Sequence, residues 1–179
     1  MGMIIASTGS FFDAGDLTIV GTYQNGASSP TRGIIFGGTT PSAAYNNIDV
    51  FTMASGGNAI KFGELITARK YADTSGNSIR ALAAGGSPST NSIEFVTIAT
   101  DGNGTDFGDI SSATGVGKSG VVSSATRGIF AGFFPASGGG QRMDFVTITS
   151  AGNAQDFGDL TTVAYYTGGC SDSNGGIGE

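Results

Sequence analysis

The sequence predicts an all-β protein built from four copies of one four-stranded antiparallel unit. The first observation is a repeat: a glycine-centred motif returns at Gly9, Gly57, Gly102 and Gly152, with spacings of 48, 45 and 50 residues. The second is composition, since 32 of the 179 residues are glycine and the sequence has no long periodic helical face. A period in the forties made of short β-like runs is typical of the blades of a β-propeller.

Residues 67–111 form the clearest copy and define the predicted strands of the unit. These strands are residues 71–77, 79–84, 93–99 and 105–110. The third is rich in β-branched and aromatic residues, which favour extended structure. The second strand is predicted to stop at Gly85 and Gly86. Gly102 and Asn103 are predicted to form a type II′ hairpin turn between the third and fourth strands.

The other copies follow the same plan, so residues 1–179 are interpreted as one propeller domain. The remaining second and third strands are predicted at residues 32–38, 127–132, 48–53 and 143–148. The expected blades are residues 19–66, residues 67–111, residues 112–161, and a composite of residues 162–179 with residues 1–18.

The two chain ends are predicted to complete the composite blade together. Its first strand and a truncated second strand are expected at 163–171 and 175–179, and its third and fourth at 3–8 and 10–18. Pairing them removes open sheet edges, which otherwise favour aggregation. One chain closing as a four-bladed ring is preferred. The alternatives are two chains that exchange ends in an eight-bladed homodimer, and a fragment of a longer array.

Several short motifs resemble a divergent kelch-type propeller repeat. Gly37-Gly38 and Gly85-Gly86 match the kelch double glycine, and Thr67-Ala68-Arg69 matches the segment that ends a kelch blade. Phenylalanine stands where kelch repeats carry tryptophan, at Phe62, Phe107 and Phe157. Residues 126–132 and 144–160 are similar to arrays in virion and tail-fibre-like proteins of aquatic bacteriophages. The resemblance implies a propeller fold and a place in a virion.

Charge and composition restrict the partners that are expected. A net charge of −6 and a pI near 4.4 disfavour nucleic-acid binding. No apolar stretch approaches the roughly 20 residues of a membrane helix, so a soluble protein without a membrane partner is expected. Histidine is absent and Cys170 is the single cysteine, which removes the usual triads and zinc sites. We expect no cofactor, no metal and no enzyme activity.

Charged residues recur at fixed positions of the repeat. The recurring arginines are Arg32, Arg80 and Arg127, and one recurring set of acids is Asp16, Glu64, Asp109 and Asp159. A second set of acids, on the third strands, is Asp49, Glu94 and Asp144. Because catalytic sites do not normally repeat in every blade, these charges are interpreted as arginine–carboxylate pairs that tie strands or blades together.

Ligand contacts are expected in the loops between second and third strands, which differ in every copy. The candidate binding residues there are Tyr45, Asn46, Asn91 and Phe134. A weaker alternative is a calcium site, because alternating side-chain oxygens are present at Asp101, Asn103 and Asp106.

The sequence therefore favours a non-enzymatic structural or binding module. The resemblance implies a phage virion or fibre component that contacts glycans or protein partners. The alternative is a glycosidase-like, carbohydrate-active propeller that uses a pair of carboxylates in its channel. An unpaired cluster of acids at one end of the channel would favour the enzyme.

Overall fold

The computed structural model describes residues 13–114, 120–133, 140–164 and 166–171. Within these residues the chain forms twelve strands and no helix, so no helix there could span a membrane. In chain order the strands are β1 (Asn25–Ser28), β2 (Arg32–Thr39), β3 (Ala44–Thr52), β4 (Ile60–Glu64), β5 (Asp73–Gly76), β6 (Arg80–Ala84), β7 (Thr90–Thr97), β8 (Thr105–Thr114), β9 (Gly120–Ser123), β10 (Arg127–Ala131), β11 (Arg142–Thr147) and β12 (Gln155–Asp159).

The twelve strands of the described residues form three separate four-stranded sheets. The first sheet contains β1 to β4, the second β5 to β8 and the third β9 to β12. Every strand pairs antiparallel with the strand that precedes or follows it in sequence, so each sheet is a meander. The predicted all-β class is confirmed, with antiparallel four-stranded sheets at the predicted period.

The sheets stack through two apolar cores, because neither face of an isolated meander can be buried alone. The first core lies between the first and second sheets, where Ile34, Phe36 and Phe62 pack against Ala81 and Val96. The second core lies between the second and third sheets and contains Phe107, Phe130 and Ile148. Along one edge of the stack, β1 lies against β5 and β5 lies against β9. These three edge strands are called the inner strands below.

The prediction that Gly102 and Asn103 form a two-residue hairpin turn is wrong. The chain reverses earlier, where the amide of Thr100 donates to the carbonyl of Thr97 at 3.1 Å. Gly102 and Asn103 instead dock on the first sheet, because the amide of Gly102 donates to the carbonyl of Phe62 at 3.0 Å. A Gly-Asn pair suits a turn and a close contact between sheets equally well, so its composition did not distinguish them.

The described parts of the predicted end strands are not strands. Residues 13–18 and the described residues of 163–171 belong to no sheet. Their predicted ladder partners, residues 3–8 and 175–179, lie outside the described residues, and a strand is recognised only by its ladder to a partner.

The residues at these two ends do keep the contacts that the repeat prescribes. The amide of Gly57 donates to the carbonyl of Ala14 at 2.8 Å, as Gly102 does to Phe62. At the other end, the amide of Ala164 donates to the carbonyl of Gly140 at 3.0 Å. The first sheet thus has a neighbour before it and the third sheet a neighbour after it.

Candidate functional site

A polar cleft of about 530 Å³ lies where the inner strands of the sheets meet. Its walls are β1, β5, β9 and residues 167–171. The three strands begin at Asn25, Asp73 and Gly120, which are 48 and 47 residues apart, and residue 168 follows 48 residues after Gly120. Four chain segments at one repeat position therefore surround a common space.

Hydrogen bonds between neighbouring segments hold the wall of this cleft. The side-chain amide of Asn25 donates to the carbonyl of Ala72 at 2.7 Å, and the hydroxyl of Thr74 donates to the carbonyl of Gly26 at 2.7 Å. The hydroxyls of Ser123 and Ser171 are 3.1 Å apart. These bonds connect the first sheet to the second and the third sheet to residues 167–171. The wall is therefore polar and its segments are tied together.

Three tyrosines lie next to the end of the cleft at which three of its wall segments begin. Tyr23, Tyr71 and Tyr166 each stand just before an inner segment, and their φ angles are +61°, +59° and +59°. The rings of Tyr23 and Tyr71 are 4.2 Å apart between centroids. The amide of Tyr71 donates to the carbonyl of Tyr23 at 3.1 Å, which joins the two sheets at this end.

The tyrosines influence one another electrostatically. A hydrogen bond with the Tyr23 hydroxyl raises the pKa of Tyr71 above its ordinary value of 10.0, with smaller contributions from lost hydration and from the charges of Tyr23 and Tyr166. Lys70 places its ammonium 5.5 Å from the centroid of the Tyr71 ring. This end of the cleft therefore combines aromatic rings, phenol hydroxyls and one cation.

The acids of the third strands are buried and tie each sheet to the segment before it. Asp49, Glu94 and Asp144 are each at most 4% exposed and lie at register shifts of β3, β7 and β11. Each carboxylate accepts a main-chain N–H from the preceding unit. Those donors are Thr18 at 2.9 Å, Ile66 at 2.6 Å and Ser111 at 2.8 Å.

The counter-charge of these carboxylates differs from sheet to sheet. Asp49 is held by neutral donors, namely the Thr18 hydroxyl and the Asn47 side-chain amide, both at 2.5 Å. Asp144 pairs with Arg142 at 3.0 Å. Glu94 pairs with Arg69, which is fully buried and also donates to the carbonyls of Gly85 and Ser92. Desolvation lowers the pKa of Arg69, and the charge of Glu94 opposes that shift.

The recurring arginines link the sheets through carbonyls more than through carboxylates. Arg32 donates to the carbonyl of Ile98 at 3.0 Å and pairs with Asp101 at 2.9 Å. Arg80 donates to the carbonyl of Ile148 at 3.0 Å and stacks on Phe95. Arg127 lies over Phe145, with its guanidinium carbon 4.9 Å from the ring centroid. The expected bidentate carboxylate pairs are not formed by these three arginines within the described residues.

The residues of the first acid set contact the following sheet through their main-chain amides. Such a contact region between consecutive units is called a junction. The amides of Asp16, Glu64 and Asp109 each donate to an asparagine side chain of the next sheet at 3.0 Å. The accepting residues are Asn58, Asn103 and Asn153. The carboxylate of Glu64 pairs with Lys61 at 2.5 Å, a hydrogen bond that lowers the pKa of Glu64. Asp159 stands at the same repeat position on β12, where it is exposed.

The predicted ligand residues are not brought together as one site within the described residues. Tyr45 accepts a hydrogen bond from Gln24 at 2.8 Å, and burial raises the pKa of Tyr45. Asn46 donates to the carbonyl of Leu65 at 3.2 Å, so both side chains are engaged within their own unit. Asn91 is exposed on β7, and Phe134 lies outside the described residues.

The calcium alternative is not supported by the geometry, because each of its three side chains is engaged elsewhere. Asp101 pairs with Arg32, the Asn103 oxygen accepts the amide of Glu64, and Asp106 accepts the amide of Gly108 at 3.1 Å. In the described part of the chain no three histidine, cysteine, aspartate or glutamate side chains converge as metal ligands.

The tyrosines are the feature of the cleft that the sequence analysis missed. Tyr23 and Tyr71 are 48 residues apart, and Tyr166 follows 95 residues later, which is two repeats. The spacing alone could have identified them, but tyrosine is common in strands and its left-handed backbone here is not visible in a sequence. No protein-family model matches the chain, and comparison with curated proteins likewise gives no match.

Proposed function

We propose that the chain is a four-bladed propeller that closes in one molecule and serves as a non-enzymatic binding module. The three sheets are three of its blades, and residues 162–179 with residues 1–18 make the fourth. Support comes from the cleft, whose four walls are four segments at one repeat position. A ring of blades places its innermost strands around an axis in this way.

The junction contacts at both chain ends support closure of the ring. In the described junctions, a Gly-Asn pair of one unit meets a glycine of the preceding unit so closely that a side chain would clash. Gly15, Gly63 and Gly108 meet Gly57, Gly102 and Gly152 in this way. Gly158 stands at the same position on β12, with a φ of +129° and the same Asp–amide hydrogen bond to Asp156 at 2.9 Å. Gly9 and Ser10 continue the series and are its proposed partners.

The main support for a non-enzymatic function is that the recurring buried acids are already hydrogen-bonded within the fold. The buried carboxylates of Asp49, Glu94 and Asp144 are bound to main-chain amides of the adjacent unit. A glycosidase needs two carboxyl groups aimed into the space where the sugar lies. Asp73 is the acid among the described residues that line the axial cleft, so the charges of this fold support blade assembly.

The ligand is proposed to bind at the tyrosine end of the cleft, where exposed rings and hydroxyls converge on a rigid wall. The resemblance to phage appendage repeats favours a virion or fibre component, whose partner is a glycan or a protein of the host surface. Repeating units of this kind provide one rigid scaffold with variable loops at one end.

A glycan array followed by product analysis tests this function against the carbohydrate-active alternative. We expect saturable binding to at least one glycan and no change in its mass after prolonged incubation. Hydrolysis that is lost in Asp73→Asn, while binding persists, would contradict the proposal and identify an enzyme. Asp109→Asn is the matched control, because it removes an acid of the repeat far from the cleft wall.

A further inference from the structure

A second cleft, also of about 530 Å³, lies beside Tyr23 at the same end of the molecule. Its lining combines an aromatic ring, small apolar side chains, several hydroxyls and one ammonium. The residues that matter most are Tyr23, Pro41, Thr40, Ser42 and Lys70. Tyr23 is 53% exposed, and Tyr166 near the same end is 60% exposed.

The backbone conformation of the tyrosines indicates a functional role for their side chains. A φ near +60° favours glycine and is unfavourable for a bulky residue. This chain places glycine at many such positions, with Gly37 and Gly85 at +51° and +62°. Before β1, before β5 and before residues 167–171 it instead carries tyrosine. Residues held in strained conformations cluster at ligand-binding sites, so the outlier supports a functional role.

The charge in the cleft indicates the sign of the ligand. Lys70 contacts the Tyr71 ring, and no carboxylate in the described part of the chain pairs with its ammonium. Arg32, Lys61, Arg69 and Arg142 each pair with a carboxylate. Arg80 and Arg127 lie over phenylalanine rings, and neither lines this cleft. The protein carries a net charge of −6, so an anion is attracted at this point and repelled over most of the surface.

We propose that this cleft binds a carboxylated sugar, such as a uronic or sialic acid residue of a surface polysaccharide. The inference rests on the proposed binding function and names its ligand class. The apolar face of the sugar ring stacks on Tyr23, its carboxylate pairs with Lys70, and its hydroxyls bond to Thr40 and Ser42. A quaternary ammonium ligand, the other group that aromatic clusters attract, is repelled by Lys70.

The test uses the intact chain on an array of neutral, uronate-containing and sialylated glycans. The best ligand is then titrated by calorimetry beside its methyl ester, which keeps the sugar skeleton but removes the charge. We expect the affinity for the ester to be lower by about tenfold or more, because a charge-assisted hydrogen bond is lost. The affinity for the free acid should fall as salt is raised.

Variants separate the site from general electrostatics. Lys70→Gln should weaken binding of the acid by about tenfold or more, and Lys70→Arg should restore most of it. Lys61→Gln makes the same change in net charge at an exposed pair on β4 and should leave the affinity unchanged. Tyr23→Ala should weaken binding of acid and ester alike, and its melting curve will show whether the chain still folds.

These measurements separate the carboxylate inference from the proposed binding function. Equal affinity for acid and ester, or no effect of Lys70→Gln, would overturn the carboxylate inference and leave the binding module standing. No binding to any glycan would overturn the inference as well. Turnover of a bound glycan would overturn the proposed function itself.

Discussion

Two junctions can be compared, one between the first and second sheets and one between the second and third. They differ in how the charge of a buried carboxylate is balanced. Both place a buried acid of the third strand against a main-chain amide of the preceding unit, Glu94 on Ile66 and Asp144 on Ser111. The first junction neutralises its acid with a fully buried arginine, whereas the Arg142 side chain of the second is 39% exposed. The repeat thus determines where the acid lies, and local sequence determines its counter-charge.

Replacing the two arginines in turn should reveal the difference between the junctions. Arg69→Met should destabilise the fold by about 3–5 kcal/mol, because it leaves Glu94 charged and buried without a counter-charge. Arg142→Met should cost at most about 1 kcal/mol, since an exposed partner contributes little and Asp144 keeps its bonds to Ser111. Urea unfolding followed by fluorescence or circular dichroism measures both.

A double variant is the control for this result. Combining Arg69→Met with Glu94→Gln removes the uncompensated charge and should recover part of the lost stability. If Arg69→Met alone is as mild as Arg142→Met, the two junctions do not differ in the way described here.

The apolar parts of the junctions are expected to be equivalent. Phe62 and Phe107 are both buried, each in the core that follows its own sheet, whereas Phe157 at the same repeat position is 46% exposed. Phe62→Ala and Phe107→Ala should each destabilise by about 3–5 kcal/mol. Phe157→Ala should cost clearly less. Thermal melts that rank Phe157→Ala with the other two would show that its ring packs in solution against a further unit, from the same chain or from a second one.

The Gly-Asn contacts test a smaller term that the two junctions share. Asn103→Ala and Asn153→Ala each remove one side-chain acceptor from a main-chain amide of the preceding sheet, at 3.0 Å in both cases. Each should reduce the free energy of unfolding by about 1 kcal/mol. Unequal losses measured by chemical denaturation would mean that the junctions differ in more than their counter-charge.

A minor effect is expected at the tyrosine contact between the first and second sheets. Tyr23→Phe removes the hydroxyl whose hydrogen bond raises the pKa of Tyr71, so Tyr71 should ionise closer to its ordinary value of 10.0. Ultraviolet absorbance of the tyrosinate during an alkaline titration reports the change. An unchanged titration curve would mean that the two hydroxyls do not interact.

The sequence was sufficient for the meander and its period, but not for contacts between units. The second strands at Arg32 and Arg127 begin at the predicted residues, and the one at Arg80 begins one residue later than predicted. Hydrophobic runs bounded by glycine determine these strands locally. The role of Gly102 and Asn103 was assigned wrongly because their docking partner lies about forty residues away in sequence. Arg69 occurs in one copy only, so no repeat pattern pointed to its pairing with Glu94.

An engineered disulfide tests whether the ring closes within one chain. In a Cys170→Ser background, Ser10→Cys and Asp159→Cys occupy the positions that Asn153 and Asp109 hold at a described junction. Asp109→Cys with Asn153→Cys is therefore the matched control pair. A closed single-chain ring predicts that both pairs form a disulfide within one chain, read by mass spectrometry and non-reducing electrophoresis. A two-chain product from the Ser10–Asp159 pair, or no disulfide there while the control pair forms one, would contradict it.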